Sequence, residues 1–265
     1  MAEVLLRRII DLKFNIRNIK TQILIAVAAL FCMNLSSCYL EDTELPFIGY
    51  DYYPTELGTY VEYQVDSVWQ DDQIGPIGSA EAHYFLRDIN ESSFVDEEGR
   101  PAIRVERYSK QNQLGDFSNV KDIWYRTRTS KIAEQNEENV VFIKHNFPVK
   151  EGKTWDGNSK NTLQTLQLIY RQTNIPELWD YEYKNVHEPY TINGFTFDST
   201  ITVLQLDRTA TLGLSVFAQE VYAKDIGLVH KQLNVIDIQL PTVGSPLDTD
   251  TFGFQYEMMV TDFGQ

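Results

Sequence analysis

The chain has few residues of the kinds that build disulfide frameworks and metal sites. Its 265 residues include two cysteines and four histidines. The histidines are His83, His145, His187 and His230. None of them has a second histidine or a glutamate at the spacing of a metal-binding motif. The segment Asp248 to Gly253 begins like a calcium loop, but Phe252 and Met259 stand where oxygen ligands are needed. We therefore expect no metal and no cofactor.

Basic residues are also scarce. Lys and Arg number 23 against 38 Asp and Glu, which gives a formal net charge of −15 at pH 7. The first 37 residues contain five of the basic residues and only two of the acidic ones, so the remainder is more acidic still. A surface of this sign repels nucleic-acid phosphates, and we expect no nucleic-acid partner. No phosphate-binding loop, dinucleotide fingerprint or serine-hydrolase motif occurs, so we also expect the protein not to be an enzyme.

The longest apolar run, Ile23 to Met33, is too short to span a bilayer, which takes about 20 helical residues. It follows a basic leader, in the order typical of a secretory signal. The next residues, Leu35-Ser36-Ser37-Cys38, resemble the lipobox of bacterial lipoproteins. That resemblance implies cleavage after Ser37 and attachment of lipid to the Cys38 thiol. We predict a signal peptide over residues 1–37 and covalent anchoring to a membrane through Cys38.

Cys32 is the competing cysteine, but the bulky Phe31 precedes it where the peptidase requires a small residue. The alternative to lipidation is that Cys38 is a buried free thiol after an ordinary cleaved signal. If the lipobox assignment is correct, the mature chain has no thiol for a disulfide or a nucleophile.

Residues 38–51 are polar and without periodicity, as expected for a tether. Within them, Glu41, Asp42 and Glu44 resemble the surface-export signal of Bacteroidota lipoproteins. This resemblance implies an outer-membrane protein whose domain faces the cell surface. The alternative is that these charges only solvate the tether and that the domain faces the periplasm.

Residues 52–265 show the pattern of a β-rich globular domain. Apolar and polar residues alternate strictly after Thr59, which predicts a half-buried strand. Turn signals predict hairpins around residues 97–101, 193–194 and 224–227, and a loop over 241–250. One short helix is predicted within 158–178. Ten or more short strands predict an all-β fold, namely a strongly curved antiparallel sheet or a half-barrel.

A sequence motif that occurs twice suggests a duplicated half-domain. The motif aromatic-Pro-x-x-x-Gly occurs at residues 53–58 and again at 147–152. Chance similarity is the alternative. With the segment Glu220 to Val229, the repeated motif resembles a broad group of Bacteroidota outer-membrane lipoproteins. That resemblance implies location and fold rather than an activity, and Val61 departs from the aromatic that often follows the first motif.

These observations favour a lipid-anchored cell-envelope lipoprotein with a non-catalytic binding or structural role at the outer membrane. One alternative is a periplasm-facing carrier of an apolar ligand. Another is a carbohydrate-binding accessory protein of nutrient uptake, in which tryptophans form a stacking platform. The candidate tryptophans are Trp69, Trp124, Trp155 and Trp179. Because antiparallel strands also use aromatic residues for packing, we expect these four to lie in the core. The sequence does not identify the ligand, the partner or the oligomeric state.

Replacing the predicted lipid-bearing cysteine tests the anchor. We expect metabolic labelling with a radioactive fatty acid to mark the wild-type chain and to leave Cys38→Ala unlabelled, because the thiol is the acceptor atom. Cys32→Ala is the matched control and should be labelled normally. Label that persists on Cys38→Ala would disprove the assignment.

Overall fold

A computed structural model describes residues 47–70, 78–170, 179–209, 213–239 and 250–265, together with Gln22. Apart from Gln22, the predicted signal peptide lies outside these residues, as do Cys38 and most of the loop predicted over 241–250. Phe47–Gln265 forms a compact unit that starts five residues before the predicted domain start. It contains twelve strands and three hydrophobic clusters, so it has a core of its own. We therefore expect this unit to fold without the preceding residues.

The all-β prediction is confirmed. The strands are β1 (Tyr60–Gln70), β2 (Ser79–Val95), β3 (Pro101–Lys110), β4 (Val120–Arg128), β5 (Ile132–Glu137), β6 (Val140–Asn146), β7 (Thr154–Asp156), β8 (Asp180–Ile192), β9 (Phe195–Arg208), β10 (Gly213–Ala223), β11 (Gly227–Gln239) and β12 (Asp250–Gly264). The predicted hairpin turns join β2 to β3, β8 to β9 and β10 to β11. Sequence reasoning did not resolve the short strands β5 and β7.

All twelve strands belong to one antiparallel sheet in the order β6-β5-β4-β3-β2-β1-β12-β11-β10-β9-β8-β7. Consecutive strands pair within β1–β6 and within β7–β12, and β1 pairs with β12 over the full length of β1. The sheet is therefore a continuous meander that curls until it is nearly closed into a barrel. The gap lies between its two edge strands, β6 and β7.

Residues around β7 satisfy the backbone of the edge strand β6. The Ile143 amide donates to the Gly157 carbonyl at 2.9 Å, and the Trp155 indole nitrogen donates to the Ile143 carbonyl at 2.9 Å. Asn161 pairs through its side-chain amide with both backbone groups of Val141, at 2.8 and 3.2 Å. This seam replaces a regular strand ladder and leaves less of β6 as an unpaired edge.

Residues 47–54 cross one end of the curled sheet and include a short 3-10 helix, Tyr50–Tyr52. The Tyr53 hydroxyl donates to the Glu134 carbonyl on β5 at 3.0 Å. The Tyr52 hydroxyl lies 2.8 Å from the Ser199 hydroxyl on β9, and Arg128 on β4 donates to two backbone carbonyls of the segment. Because these partners come from widely separated strands, the segment holds that end of the sheet together.

Both copies of the aromatic-Pro-x-x-x-Gly motif deliver the chain into a strand. Gly58 and Gly152 have φ values of +83° and +72°, which residues with a side chain rarely adopt. Each lies two residues before a strand, β1 in the first copy and β7 in the second. The motifs therefore open two successive runs of six strands, β1–β6 and β7–β12, an arrangement consistent with a duplicated half-domain.

The helix content also agrees with the sequence. One α-helix, α1 (Leu163–Tyr170), lies within the stretch predicted to contain it, and Leu166 is buried in the main cluster. Among the described residues, no helix has the length and hydropathy needed to cross a membrane.

Trp155 tests the importance of the seam, because its ring is 7% exposed and its nitrogen bonds to the opposite edge strand. We expect Trp155→Ala to lower the free energy of unfolding by about 3 to 5 kcal/mol in a denaturant titration, the range for loss of a large buried aromatic. Trp155→Phe, which keeps most of the apolar area but loses the donor, should cost less than Trp155→Ala. The exposed Val95→Ala is the control. An unchanged midpoint in Trp155→Ala would contradict the structural role.

Candidate functional site

The curled sheet encloses a central cavity of about 320 Å³. Alternate residues of a strand face the same side, so the strands β1–β6 and β10–β12 line it with every second side chain. Slightly more than half of the lining side chains are apolar or aromatic, and the others are polar or charged. The aromatic ones are Tyr53, Tyr60, Tyr63, Tyr84, Trp124, Phe142, Tyr222, Phe254 and Tyr256, and the aliphatic ones include Val61, Leu86, Leu228, Leu233 and Met258. A cavity of this size and character is typical of a site for a small organic molecule.

A buried group of charges lies in the wall of this cavity. The Lys144 ammonium is 2.8 Å from a Glu220 carboxylate oxygen and 3.4 Å from Glu137. Lys231 approaches the same Glu220 oxygen at 3.2 Å, and the Tyr222 hydroxyl donates to the other oxygen at 2.5 Å. Glu220 is fully buried, so its negative charge depends on these partners.

The protonation of this group follows from its partners. Burial alone raises the pKa of Glu220, but the ammonium groups of Lys144 and Lys231 outweigh it and hold the pKa well below the usual range. Burial lowers the pKa of Lys144, yet Glu220 and Glu137 raise it above its ordinary value. Burial likewise raises the pKa of Glu137, and Lys144 and Lys231 reverse the shift. At neutral pH these residues are therefore charged, and neither carboxyl is a proton donor.

A second ion pair lies on β2 and β3. Arg107 donates to both carboxylate oxygens of Asp88, each at 2.6 Å, and its guanidinium lies 3.7 Å from the centre of the Trp124 ring. Arg107 and Asp88 are each 8% exposed. Both charges are satisfied by this two-point contact, which is among the strongest side-chain hydrogen-bond geometries.

β4 contributes two donors that differ from the other polar groups of the cavity. Trp124 and Arg126 are two residues apart, so they share the face of β4 that lines the cavity. The indole nitrogen of Trp124 and the Nε of Arg126 are buried and have no hydrogen-bond partner. Buried N–H groups normally have one, so these two need an explanation.

The residues singled out in the sequence do not come together at this site. Trp155 and Trp179 pack in the core, and Trp69 stacks on Phe254 at a ring distance of 5.0 Å. Trp124 lines the cavity. The prediction of core packing is therefore confirmed for Trp155 and Trp179, whereas Trp124 is buried in the cavity wall, and the four do not form an exposed row.

The histidines are also separate from one another. His230 lies between the Tyr190 hydroxyl at 2.8 Å and Glu257 at 3.0 Å, so both of its ring nitrogens have hydrogen-bond partners. His145 is fully buried, and burial lowers its pKa to about 3, so it is neutral at physiological pH. Within the described parts of the chain, no cluster of three or more His, Cys, Asp and Glu side chains has the geometry of a metal site.

Sequence reasoning missed the charged residues of the cavity. A signal was present, because Lys144 follows Phe142 at a strand spacing and therefore lies on the face that Phe142 occupies. A charge on the apolar face of a strand indicates a buried partner, but the partner cannot be read from the sequence. Glu220 comes from β10, far along the chain.

A scan against protein-family models finds no match to this chain, and a search of curated proteins finds none either.

Removing the buried carboxylate tests the charge group. Glu220→Ala leaves Lys144 buried without its closest counter-charge, and we expect a loss of about 3 to 5 kcal/mol in the free energy of unfolding at pH 7. Glu91→Ala is the control, since Glu91 pairs with Arg104 at 3.2 Å at an exposed position and should cost about 1 kcal/mol or less. Equal small losses in both variants would refute the account.

The difference between wild type and Glu220→Ala should also depend on pH. Since the folded-state pKa of Glu220 is lowered, its contribution is complete above the unfolded-state pKa of about 4.3 and is lost as the pH falls through the folded-state value. Denaturant titrations at pH 7, 4 and 3 should therefore show a difference that shrinks toward acid. A difference that grows toward acid would contradict the assignment.

Proposed function

We propose that this protein is a lipid-anchored lipoprotein of the bacterial outer membrane that binds a small organic molecule with an apolar body in its central cavity. The proposal rests on the cavity of about 320 Å³ inside the nearly closed sheet, with its apolar and aromatic lining. Its attachment through Cys38 rests on the lipobox resemblance. In this role the protein is a carrier or receptor rather than a catalyst.

The side chains that line the cavity support an apolar ligand over a carbohydrate. A flat exposed platform of aromatic rings is the arrangement that suits sugar stacking. Here Trp155 and Trp179 are 7% and 0% exposed, and Trp69 is stacked inside the sheet on Phe254. Aromatic area is therefore presented inward, where a ligand would be surrounded on several sides.

The charge group supports binding over hydrolysis. Glu137 and Glu220 both line the cavity and could be viewed as a pair of catalytic carboxyls. A glycosidase pair requires one carboxyl with a raised pKa to act as the acid. In this cavity the pKa of each is lowered by Lys144 and Lys231, so the pair supplies no general acid.

We also propose which side of the outer membrane the domain faces. The acidic residues Glu41, Asp42 and Glu44 favour display at the cell surface, where the protein would capture its ligand from outside. Facing the periplasm, the same cavity would carry an apolar molecule between membranes.

Binding of an uncharged fluorescent probe tests the proposed function. The chain from Tyr39 to Gln265 retains the compact unit and avoids membrane lipid as a background. We expect N-phenyl-1-naphthylamine to bind saturably, with a rise in its fluorescence as it enters the apolar cavity. Val61→Trp, which adds bulk at a lining position, should abolish this signal without lowering the unfolding midpoint below that of Val95→Trp.

Val95→Trp is the matched control, because Val95 is 69% exposed and lies outside the cavity lining. Probe binding that is absent in the wild type, or equal in both variants, would refute the cavity as a ligand site.

A further inference from the structure

Most of the charges that line the cavity are in ion pairs, and the two exceptions among the described residues are Glu138 and Arg126. Arg107 is bound by Asp88, and Lys121 lies 3.0 Å from Asp122. Lys144 and Lys231 share Glu220, and Lys144 also contacts Glu137. Arg126 makes no ion pair among the described residues. It is therefore the one lining cation that forms no ion pair with a described carboxylate.

Arg126 is also held in place without a polar partner. Its guanidinium carbon lies 5.4 Å from the centre of the Tyr53 ring, a cation-π contact at the end of the cavity that residues 47–54 cover. Its Nε is buried and unbonded. A guanidinium presents its donors in a fixed fork that matches a carboxylate, phosphate or sulfonate.

Trp124 provides a second donor on the same face of the same strand. The side chain is only 7% exposed and its indole nitrogen has no partner. An unsatisfied buried donor costs about 1 to 3 kcal/mol, and a charged one costs more. Two such groups, two residues apart on β4, are explained if both donate to one acceptor in the cavity.

The unpaired charge of Arg126 favours an anionic acceptor over a neutral one. The Arg107 guanidinium, which Asp88 neutralises, stacks on the Trp124 ring at 3.7 Å and helps to hold that ring in place. The lining also includes apolar side chains such as Leu86 and Met258.

We propose that Arg126 and Trp124 bind the anionic head of an amphiphilic ligand, a carboxylate or a group of similar size and charge, while the apolar wall of the cavity holds its body. This assignment rests on the proposed function and names the class of ligand for the same cavity. Arg126 supplies the charge and the fork of donors, and Trp124 adds one neutral hydrogen bond. The ligand is then fixed in one orientation, with its head at β4.

The test compares two competitors of equal chain length against N-phenyl-1-naphthylamine. Dodecanoate carries the proposed head, and 1-dodecanol lacks the charge. The measured quantity is the ratio of their inhibition constants, which cancels most of the effect of the shared chain. We expect Arg126→Gln to weaken dodecanoate by roughly 10- to 100-fold, the value of a charge-assisted hydrogen bond, while dodecanol changes by about 2-fold or less.

Two further variants separate the head site from general effects. Trp124→Phe keeps the ring and removes the donor, so it should weaken dodecanoate by about 2- to 10-fold and leave dodecanol unchanged. Arg104→Gln removes a cation from a position outside the cavity lining, where Arg104 pairs with Glu91 and Glu106, and should alter neither competitor. The dissociation constant of the probe is measured for each variant, so that competition is converted into an inhibition constant for that variant, and a denaturant titration shows whether Arg126→Gln is folded.

The outcomes distinguish this inference from the proposed function. If the probe binds and the ratio for dodecanoate and dodecanol is the same in Arg126→Gln as in the wild type, the cavity is a ligand site and the head assignment is wrong. Equal competition by both molecules in the wild type would also overturn the assignment. If the probe fails to bind the wild type, the proposed function and the head assignment are both overturned.

Discussion

The ion pair between Lys144 and Glu220 can form only in a curled sheet. In the order of the sheet, seven strands lie between β6, which carries Lys144, and β10, which carries Glu220. Their side chains nevertheless approach to 2.8 Å across the interior. In a flat sheet both charges would lose this contact, and a buried charge without its partner is costly. Curvature and charge pairing therefore depend on each other, and Glu137, Lys231 and Tyr222 complete the group that the curvature brings together.

The cavity is a consequence of the same geometry. When a long meander closes on itself, alternate side chains from nearly all strands are directed inward, and here many of them are large aromatic residues. Tyrosines supply much of this lining, and their hydroxyl groups require partners when they are buried. The Tyr222 hydroxyl finds Glu220, and the Tyr53 hydroxyl finds the Glu134 carbonyl. Polar groups thus occupy fixed positions among the aromatic and aliphatic side chains of the wall.

The two six-strand halves, β1–β6 and β7–β12, begin with the same motif, but the two junctions between them differ. One junction is β1 with β12, and the other is β6 with β7. β1 pairs with β12 along its whole length, whereas β7 has three residues and pairs only with β8. The chain leaves the sheet after Asp156, and Asn161 then bonds to Val141 on the opposite edge. Side chains and turn residues therefore complete the junction between β6 and β7. Residues 47–54 add a third connection, since they tie strands from both halves at one end.

The sequence by itself determined the class of fold and the position of most strands, because alternation and turn residues are local properties. The turns at Glu97 to Pro101 and at Asn193-Gly194 could be predicted since Gly, Asn and Pro fix their own backbone angles. β5 and β7 could not, because short strands carry too little periodicity. The site was decided by tertiary structure. Lys144 and Glu220 are far apart in sequence. That the buried N–H groups of Trp124 and Arg126 have no hydrogen-bond partner is known only from the residues that surround them in the fold. Contacts between residues distant in sequence decide which strands close the sheet and which charges lack a partner. The pattern of a single sequence does not reveal these contacts.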